Sequence, residues 1–285
     1  MKTKFLILLT LILMTGITIS CSKDDDNVNV QVPSAVTSAF QKSYPNISPK
    51  WEYENPYYVA EFKYNSDETE VWYNPDGSWM MTVTDIPSTK LPAAITQAIA
   101  ASKYASWKYD DVKLIDREGF EQLYKVEMEG AGTDNEVTLY YAENGTLIKE
   151  IPDIDNNTTV KPIVIPQKIQ SYLDQNFPSS QYKVIDLDID DTTGNYEVEV
   201  IKGTQSTEVV FSQQQEFLYS EYEIEWSTVP TAVQNSFNAS GYTQNQIDDI
   251  YNRTTADKQT LYVFDLDINN KDILLIYDTE GNKIN

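Results

Sequence analysis

Four times along this chain a branched apolar residue and a proline head a short run in which apolar residues recur at helical spacing. The pairs are Val32-Pro33, Leu91-Pro92, Ile165-Pro166 and Val229-Pro230. Three residues after each proline stands Val36, Ile95, Ile169 or Val233, and four further on Phe40, Ile99, Leu173 or Phe237, so both fall on one stripe of a helix. An aromatic closes each run: Tyr44, Tyr104, Phe177 or Tyr242. The spacing predicts four short amphipathic helices, and their recurrence predicts a repeated unit.

Alternating, strand-like residues follow every helix pattern. In the first copy they occupy 51–54, 58–64, 70–73 and 78–84, with turns at Asn55-Pro56, Ser66-Asp67 and Asn74-Pro75-Asp76-Gly77. The last hairpin recurs at Ala142-Glu143-Asn144-Gly145 and Asp278-Thr279-Glu280-Gly281, where glycine supplies a positive φ. The third copy reads Ser212-Gln213-Gln214-Gln215, without glycine, which predicts a turn of another geometry. Strands joined by such short loops must be antiparallel, and helices set between groups of them segregate to one face. A polar, aperiodic stretch at 153–162 divides the repeats two and two. The expected architecture is α+β, with two tandem two-layer domains at 32–152 and 163–285. Each holds two helix-plus-antiparallel-strand repeats: 32–87 and 91–152 in the first, 165–225 and 229–285 in the second.

This unit, with its [VIL]-Pro helix, alternating strands and final apolar-Tyr-x-x-x-Gly hairpin, resembles the PepSY-like proteins. The hairpin stands at Val71-Trp72-Tyr73 to Gly77, Leu139-Tyr140-Tyr141 to Gly145 and Leu275-Ile276-Tyr277 to Gly281. These are periplasmic and secreted domains also described as beta-lactamase-inhibitor-protein-like, and the resemblance runs over about residues 32–285 as two tandem domains. It implies a curved antiparallel sheet with helices on one side, and a role in binding or inhibition rather than catalysis. It brings no catalytic residue with it.

The N-terminus reads as an address. A basic Met1-Lys2-Thr3-Lys4 precedes an apolar run from Phe5 to Ile19 that ends just before Cys21, the pattern of a lipoprotein signal at 1–20. The run is short of the ~20 residues a membrane span needs. Cys21 is then the lipidated residue, and as the chain's one cysteine it leaves no thiol for a disulfide, a metal or a nucleophile. Residues 21–31 read as an acidic tether. Its run Asp24-Asp25-Asp26, directly after the lipidation site, resembles an export signal to the outer face of the outer membrane. The expected location is an outer-membrane lipoprotein exposed at the surface, the alternative a periplasm-facing anchor.

Charge narrows the partners. Lys plus Arg number 21 against 44 Asp plus Glu, a net −23, and loss of Lys2 and Lys4 with the signal takes this to about −25. Such a field repels phosphate backbones and anionic lipid heads, so nucleic acid is disfavoured and membrane contact is left to the lipid. With no histidine the chain lacks the usual neutral-pH general base and zinc ligand, and its 10 glycines form no phosphate loop. The reading is of a protein that is not an enzyme and has no resident cofactor.

Two constellations remain. Asp186, Asp188, Asp190 and Glu197 have the one-three-five-twelve spacing of a calcium loop, but Asp191 stands where glycine is required and Leu187 and Ile189 make a strand alternation. A solvated strand face is the favoured reading, and calcium the metal that oxygen donors would suit. The second is aromatic: Trp51, Tyr53, Tyr58, Phe62, Trp72 and Trp79 crowd the first domain in both strand phases, so an aromatic face left uncovered by helices is expected there as a binding surface. The function expected is recognition of a protein or peptide partner, including inhibition of a secreted enzyme. The alternatives are a glycan-binding surface lipoprotein and a calcium-responsive envelope scaffold.

Overall fold

The computed structural model describes residues 30–132, 135–152, 160–268 and 271–284. The signal, Cys21, the acidic run and residues 153–159 of the expected linker lie outside the described residues. Val32–Asn285 form one compact unit.

All four helices form where the apolar spacing places them: α1 Ser34–Ser43, α2 Ala93–Ala101, α3 Gln167–Asn176 and α4 Thr231–Ala239. Each starts directly after its proline, whose fixed φ suits a helix entry. The proline carbonyl accepts an early helical hydrogen bond in every copy, from Thr37 (3.1 Å), Thr96 (3.2 Å), Gln170 (2.9 Å) and Gln234 (3.0 Å). Helices of nine or ten residues are not stable alone, so burial of the stripe must hold them. All eight stripe residues are buried.

The strands follow in chain order. The first sheet is β1 Lys50–Glu54, β2 Tyr57–Tyr64, β3 Asp67–Tyr73, β4 Trp79–Asp85, β5 Lys108–Arg117, β6 Leu123–Glu129, β7 Glu136–Ala142 and β8 Leu147–Pro152. The second is β9 Lys183–Ile189, β10 Tyr196–Lys202, β11 Gln205–Phe211, β12 Phe217–Glu223, β13 Ile247–Thr255, β14 Thr260–Asp267 and β15 Asp272–Asp278. Both are antiparallel meanders in which sequence neighbours are sheet neighbours. The protein is thus α+β and mostly sheet.

Strand alternation assigns the core. Val36 and Phe40 of α1 pack with Ala60, Val71 and Tyr73, and Ile95 and Ile99 of α2 pack with Val126, Leu139 and Tyr141. In the second sheet Ile169 and Leu173 meet Val198, Val209 and Phe211, while Val233 and Phe237 meet Phe264, Leu275 and Tyr277. A fifth cluster contains no helix residue. It takes the opposite phase of the first sheet (Val59, Trp72, Met81, Ile115, Leu123, Tyr140) together with Ile185 and Ile201 of the second. The register explains the split, since Ala60 lies opposite Val71 while Val59 lies opposite Trp72 and Trp72 opposite Met81.

Polar contacts reinforce this junction of the sheets. Arg117, only 3 % exposed, donates to Asp186 Oδ1 and to the Ile185 carbonyl, each at 2.7 Å, and its guanidinium lies over the Phe120 ring at 4.6 Å. The Glu121 N–H donates to the Val184 carbonyl at 2.8 Å.

The final hairpin of each repeat touches its helix. At Gly77, Gly145 and Gly281, φ lies at +87°, +87° and +86°, and a Cβ there would stand 2.7 Å from the carbonyl oxygen of Ala35, Ala94 or Ala232 in the helix's first turn. The third copy corrects the expected difference in turn geometry. Gln215 takes φ +61°, and the same pair of backbone bonds closes the turn, Gln215 N–H to Ser212 O (2.7 Å) and Ser212 N–H to Glu216 O (2.8 Å). Hydrogen bonding fixes the conformation and glutamine bears its strain. Lys168 on α3, in the place of the alanine, donates to the Gln214 carbonyl (3.1 Å) and pairs with Glu216.

Candidate binding cleft on the second sheet

The six aromatics fall on both faces of the first sheet, as their two strand phases predict, and one of them is exposed. Trp51, Tyr58, Phe62 and Trp79 are half-buried around the α1 core, with Trp51 and Phe62 edge-on to Phe40 at centroid distances of 5.5 and 5.1 Å. Tyr53 shares their phase and is the exposed member at 50 %, its ring 5.1 Å from that of Tyr58. Trp72 has the opposite phase and is fully buried in the helix-free cluster, its indole N–H 3.4 Å from Glu70 Oε2. The face of the first sheet without helices, expected to be open, is therefore filled by Trp72 and its aliphatic neighbours, and the other face is taken up by α1.

The calcium-spaced set forms a strand-turn-strand element. Leu187 is buried opposite Val198, which turns Asp186 and Asp188 to the other face, opposite Glu199 and Glu197. Asp186 is engaged by Arg117 and Asp188 by Lys149. Asp190 closes its own turn by accepting from the N–H groups of Thr192 (3.1 Å) and Thr193 (2.5 Å) and the Thr193 hydroxyl (2.6 Å). Among the described residues no three acidic side chains converge as a metal site. Of the four carboxylates spaced for calcium, Asp186 and Asp188 are matched by cations and Asp190 by turn donors, while Glu197 lies opposite Asp188.

What the register does assemble is a row of acids. Asp186 on β9 lies opposite Glu199 on β10, Glu199 opposite Glu208 on β11, Glu208 opposite Glu221 on β12, and Glu221 opposite Arg253 on β13. Only the ends meet cations: Arg117 holds Asp186, and Arg253 donates from Nε to Glu221 (2.6 Å) while lying 3.9 Å over the Tyr219 ring. Between them Glu199 and Glu208 are half-buried. Desolvation pushes the Glu199 carboxyl up to about 7, with Asp186 adding to the rise and the Ser206 hydroxyl, which donates to it, opposing it. Desolvation also pushes Glu208 up to about 8, helped by the negative charge of Glu197, Glu221 and Glu199. Burial and neighbouring acids raise Glu197, Glu223 and Asp249 as well.

Glu199, Glu208, Glu221 and Glu223 line a cleft of about 440 Å³ that also meets the start of β8. Thr146, Leu147 and Ile148 line it from that side, Glu221, Glu223 and Tyr251 from the opposite side. A bulge against Tyr140 and Tyr141 throws β8 out of alternation here. Leu147 is 42 % exposed, and the Thr146 hydroxyl is buried without a hydrogen-bond partner among the described residues. A smaller cleft of about 210 Å³ shares Glu199 and Glu208 and ends on Lys149. The sequence hinted at this floor through the alternation Tyr196-Glu197-Val198-Glu199-Val200, which sets acids against a buried valine face. It could not show that Glu208 and Glu221 continue the row, because that depends on pairing register.

Among the described residues no helix is long and apolar enough to cross a membrane. No curated protein matches the chain. Three crystal structures of Bacteroides proteins are similar to it over part of its length. A BLIP-like protein from Bacteroides fragilis is 33 % identical over 49 % of this chain and 100 % of its own, with a TM-score of 0.44. A DUF2874 family protein from Bacteroides ovatus is 28 % identical over 46 % and 95 %, TM-score 0.43. A DUF2874 family protein from Bacteroides uniformis is 27 % identical over 42 % and 89 %, TM-score 0.41. The family model described as "Putative beta-lactamase-inhibitor-like, PepSY-like" matches residues 56–149, 153–219 and 194–285, so that nearly all of the folded chain is accounted for and the protein belongs to the PepSY-like family.

Proposed function

We propose that this chain is a non-catalytic binding protein of the bacterial cell envelope, held to the membrane by lipid on Cys21, that engages a protein or peptide through the cleft between β8 and the second sheet. In this reading each sheet carries its helices on one face, the other face of the first sheet packs against the second, and the acidic row of the second is left for the partner. The observation that carries it is the pair Glu199 and Glu208, directly opposite one another with no cation partner, in the row that runs on to Glu221. Like charges directly opposite on neighbouring strands destabilise a sheet, and here two of them are also desolvated. A fold that needed only stability would gain by placing neutral residues there. Support for the envelope location comes from the signal pattern ending before Cys21 and the acidic run after it.

The test compares proteins captured from envelope extract by the full chain and by Glu199→Gln/Glu208→Gln, which keeps shape and removes charge. Loss of specific captured species in the variant is expected. An identical captured set would refute the cleft as the binding site. For the anchor, Cys21→Ser is expected to abolish incorporation of labelled fatty acid, and persistent label would overturn that assignment.

A further inference from the structure

The binding cleft does not accept any partner equally, because its walls differ in chemistry. The lining offers Glu199, Glu208 and Glu221, with Glu223 beyond them on β12. The cations near it are already paired: Arg253 with Glu221, Lys149 with Asp188 and Arg117 with Asp186. An anion would meet repulsion with no free cation on the lining, whereas an occupant that brings positive charge would relieve the repulsion across β10, β11 and β12. The β8 wall is of another kind. Leu147 and Ile148 present aliphatic surface, Leu147 to solvent, and the Tyr251 ring stands on the opposite side. A bare metal ion or polyamine would leave this aliphatic wall unused.

Geometry selects the form of the occupant. Neighbouring strands lie about 4.8 Å apart, so Glu199 to Glu221 spans roughly 10 Å across two strand intervals. In an extended peptide, side chains two residues apart share a face at a spacing of about 6.8 Å. Two basic side chains at alternate positions therefore reach the row, one near Glu199 and Glu208 and one near Glu208 and Glu221. The residue between them points the other way, towards the cleft wall.

Resting on the reading of the cleft as a binding site, we propose that its partner is an extended polypeptide segment in which lysine or arginine alternates with a large apolar residue. The basic side chains lie along Glu199, Glu208 and Glu221, and the apolar one lies against Leu147 and Ile148. Desolvated carboxyls that hold protons near neutral pH release them to form these ion pairs, so association is coupled to proton release.

The probe is a fluorescent, end-blocked peptide of about six residues alternating lysine and leucine, titrated into the full chain at physiological salt. Matched peptides alternate lysine with serine and glutamate with leucine. The lysine–leucine peptide is expected to bind tightest, and its affinity to fall about tenfold or more in Glu199→Gln/Glu208→Gln and, separately, in Leu147→Ser. Glu68→Gln, on the first sheet, is expected to leave it unchanged. Calorimetry in buffers of different ionisation enthalpy should detect protons released on binding. Leu147→Ser changes an exposed residue, so it keeps the proposal testable should the double variant unfold. Equal weakening by Glu68→Gln, displacement by spermine or calcium at matched charge, or equal binding of the lysine–serine peptide would overturn the proposal. If envelope partners are still captured in a cleft-dependent way while none of these peptides binds, the cleft reading stands and this assignment of its partner fails.

Discussion

Raising the pH should unfold this protein more easily, and the carboxyl row predicts by how much. Glu208 and Glu199 stand at about 8 and about 7 in the folded chain against an ordinary 4.5. The folded state therefore binds protons more tightly than the unfolded chain. That contribution to stability is complete below about 4.5 and is lost as pH climbs through about 7 and 8. Linkage gives ~3 kcal/mol for Glu208 and ~2 kcal/mol for Glu199 between about pH 5.5 and pH 9. Both groups are partly open to solvent and lie directly opposite one another, so water screening and mutual coupling hold the combined loss to ~2–4 kcal/mol. The chain has no histidine, the side chain whose ordinary pKa would otherwise dominate this window. Urea unfolding followed by tryptophan fluorescence at the two pH values measures the difference. In Glu199→Gln/Glu208→Gln the loss should shrink to under ~1 kcal/mol, with the variant more stable than wild type at the alkaline end. A wild-type midpoint that does not fall between those pH values, or a slope that survives in the double variant, would refute desolvation of this pair.

Phe237→Ala should lower stability by ~3–5 kcal/mol by urea titration, because the ring is fully buried and stacked on Phe264 at 4.8 Å. Gln215→Gly should raise stability by ~0.5–1 kcal/mol by removing left-handed strain, whereas Gly145→Ala, whose new Cβ would press on the Ala94 carbonyl, should lower it by more than ~1 kcal/mol, both read from thermal melts. At the junction, Asp186→Ala should lower stability by ~3–5 kcal/mol in the same assay by stranding the buried Arg117 charge, and Arg117→Met, which removes that charge, should be the milder change.

The helices were legible because each stripe is local: Val36 and Phe40 lie one turn apart, and their burial needs no knowledge of what covers them. Strands and turns were legible for the same reason, through alternation and residues such as Asn74-Pro75-Asp76-Gly77. What could not be read was any property that depends on two distant segments. Trp72 and Trp51 carry the same ring, and only pairing places one beneath α1 and the other against Met81. Asp186 stood out through its spacing to Asp188, yet its partner is Arg117 from the other sheet. Glu208 gave no signal as one acid among many; it gains significance from lying opposite both Glu199 and Glu221.

The contact between hairpin tips and helix starts bears on how this protein can be engineered. Surface hairpins are ordinarily the first choice for inserting a tag, an epitope or a new terminus. Here the tips at Gly77, Gly145 and Gly281 abut helix backbone, so added residues would lever a helix off its sheet. The third tip, where a flexible lysine side chain spans to the Gln214 carbonyl, has slack that the others lack. Gly241, after α4, has nothing within 4 Å of where a side chain would begin, and makes a better graft point than any of the three glycine-tipped hairpins.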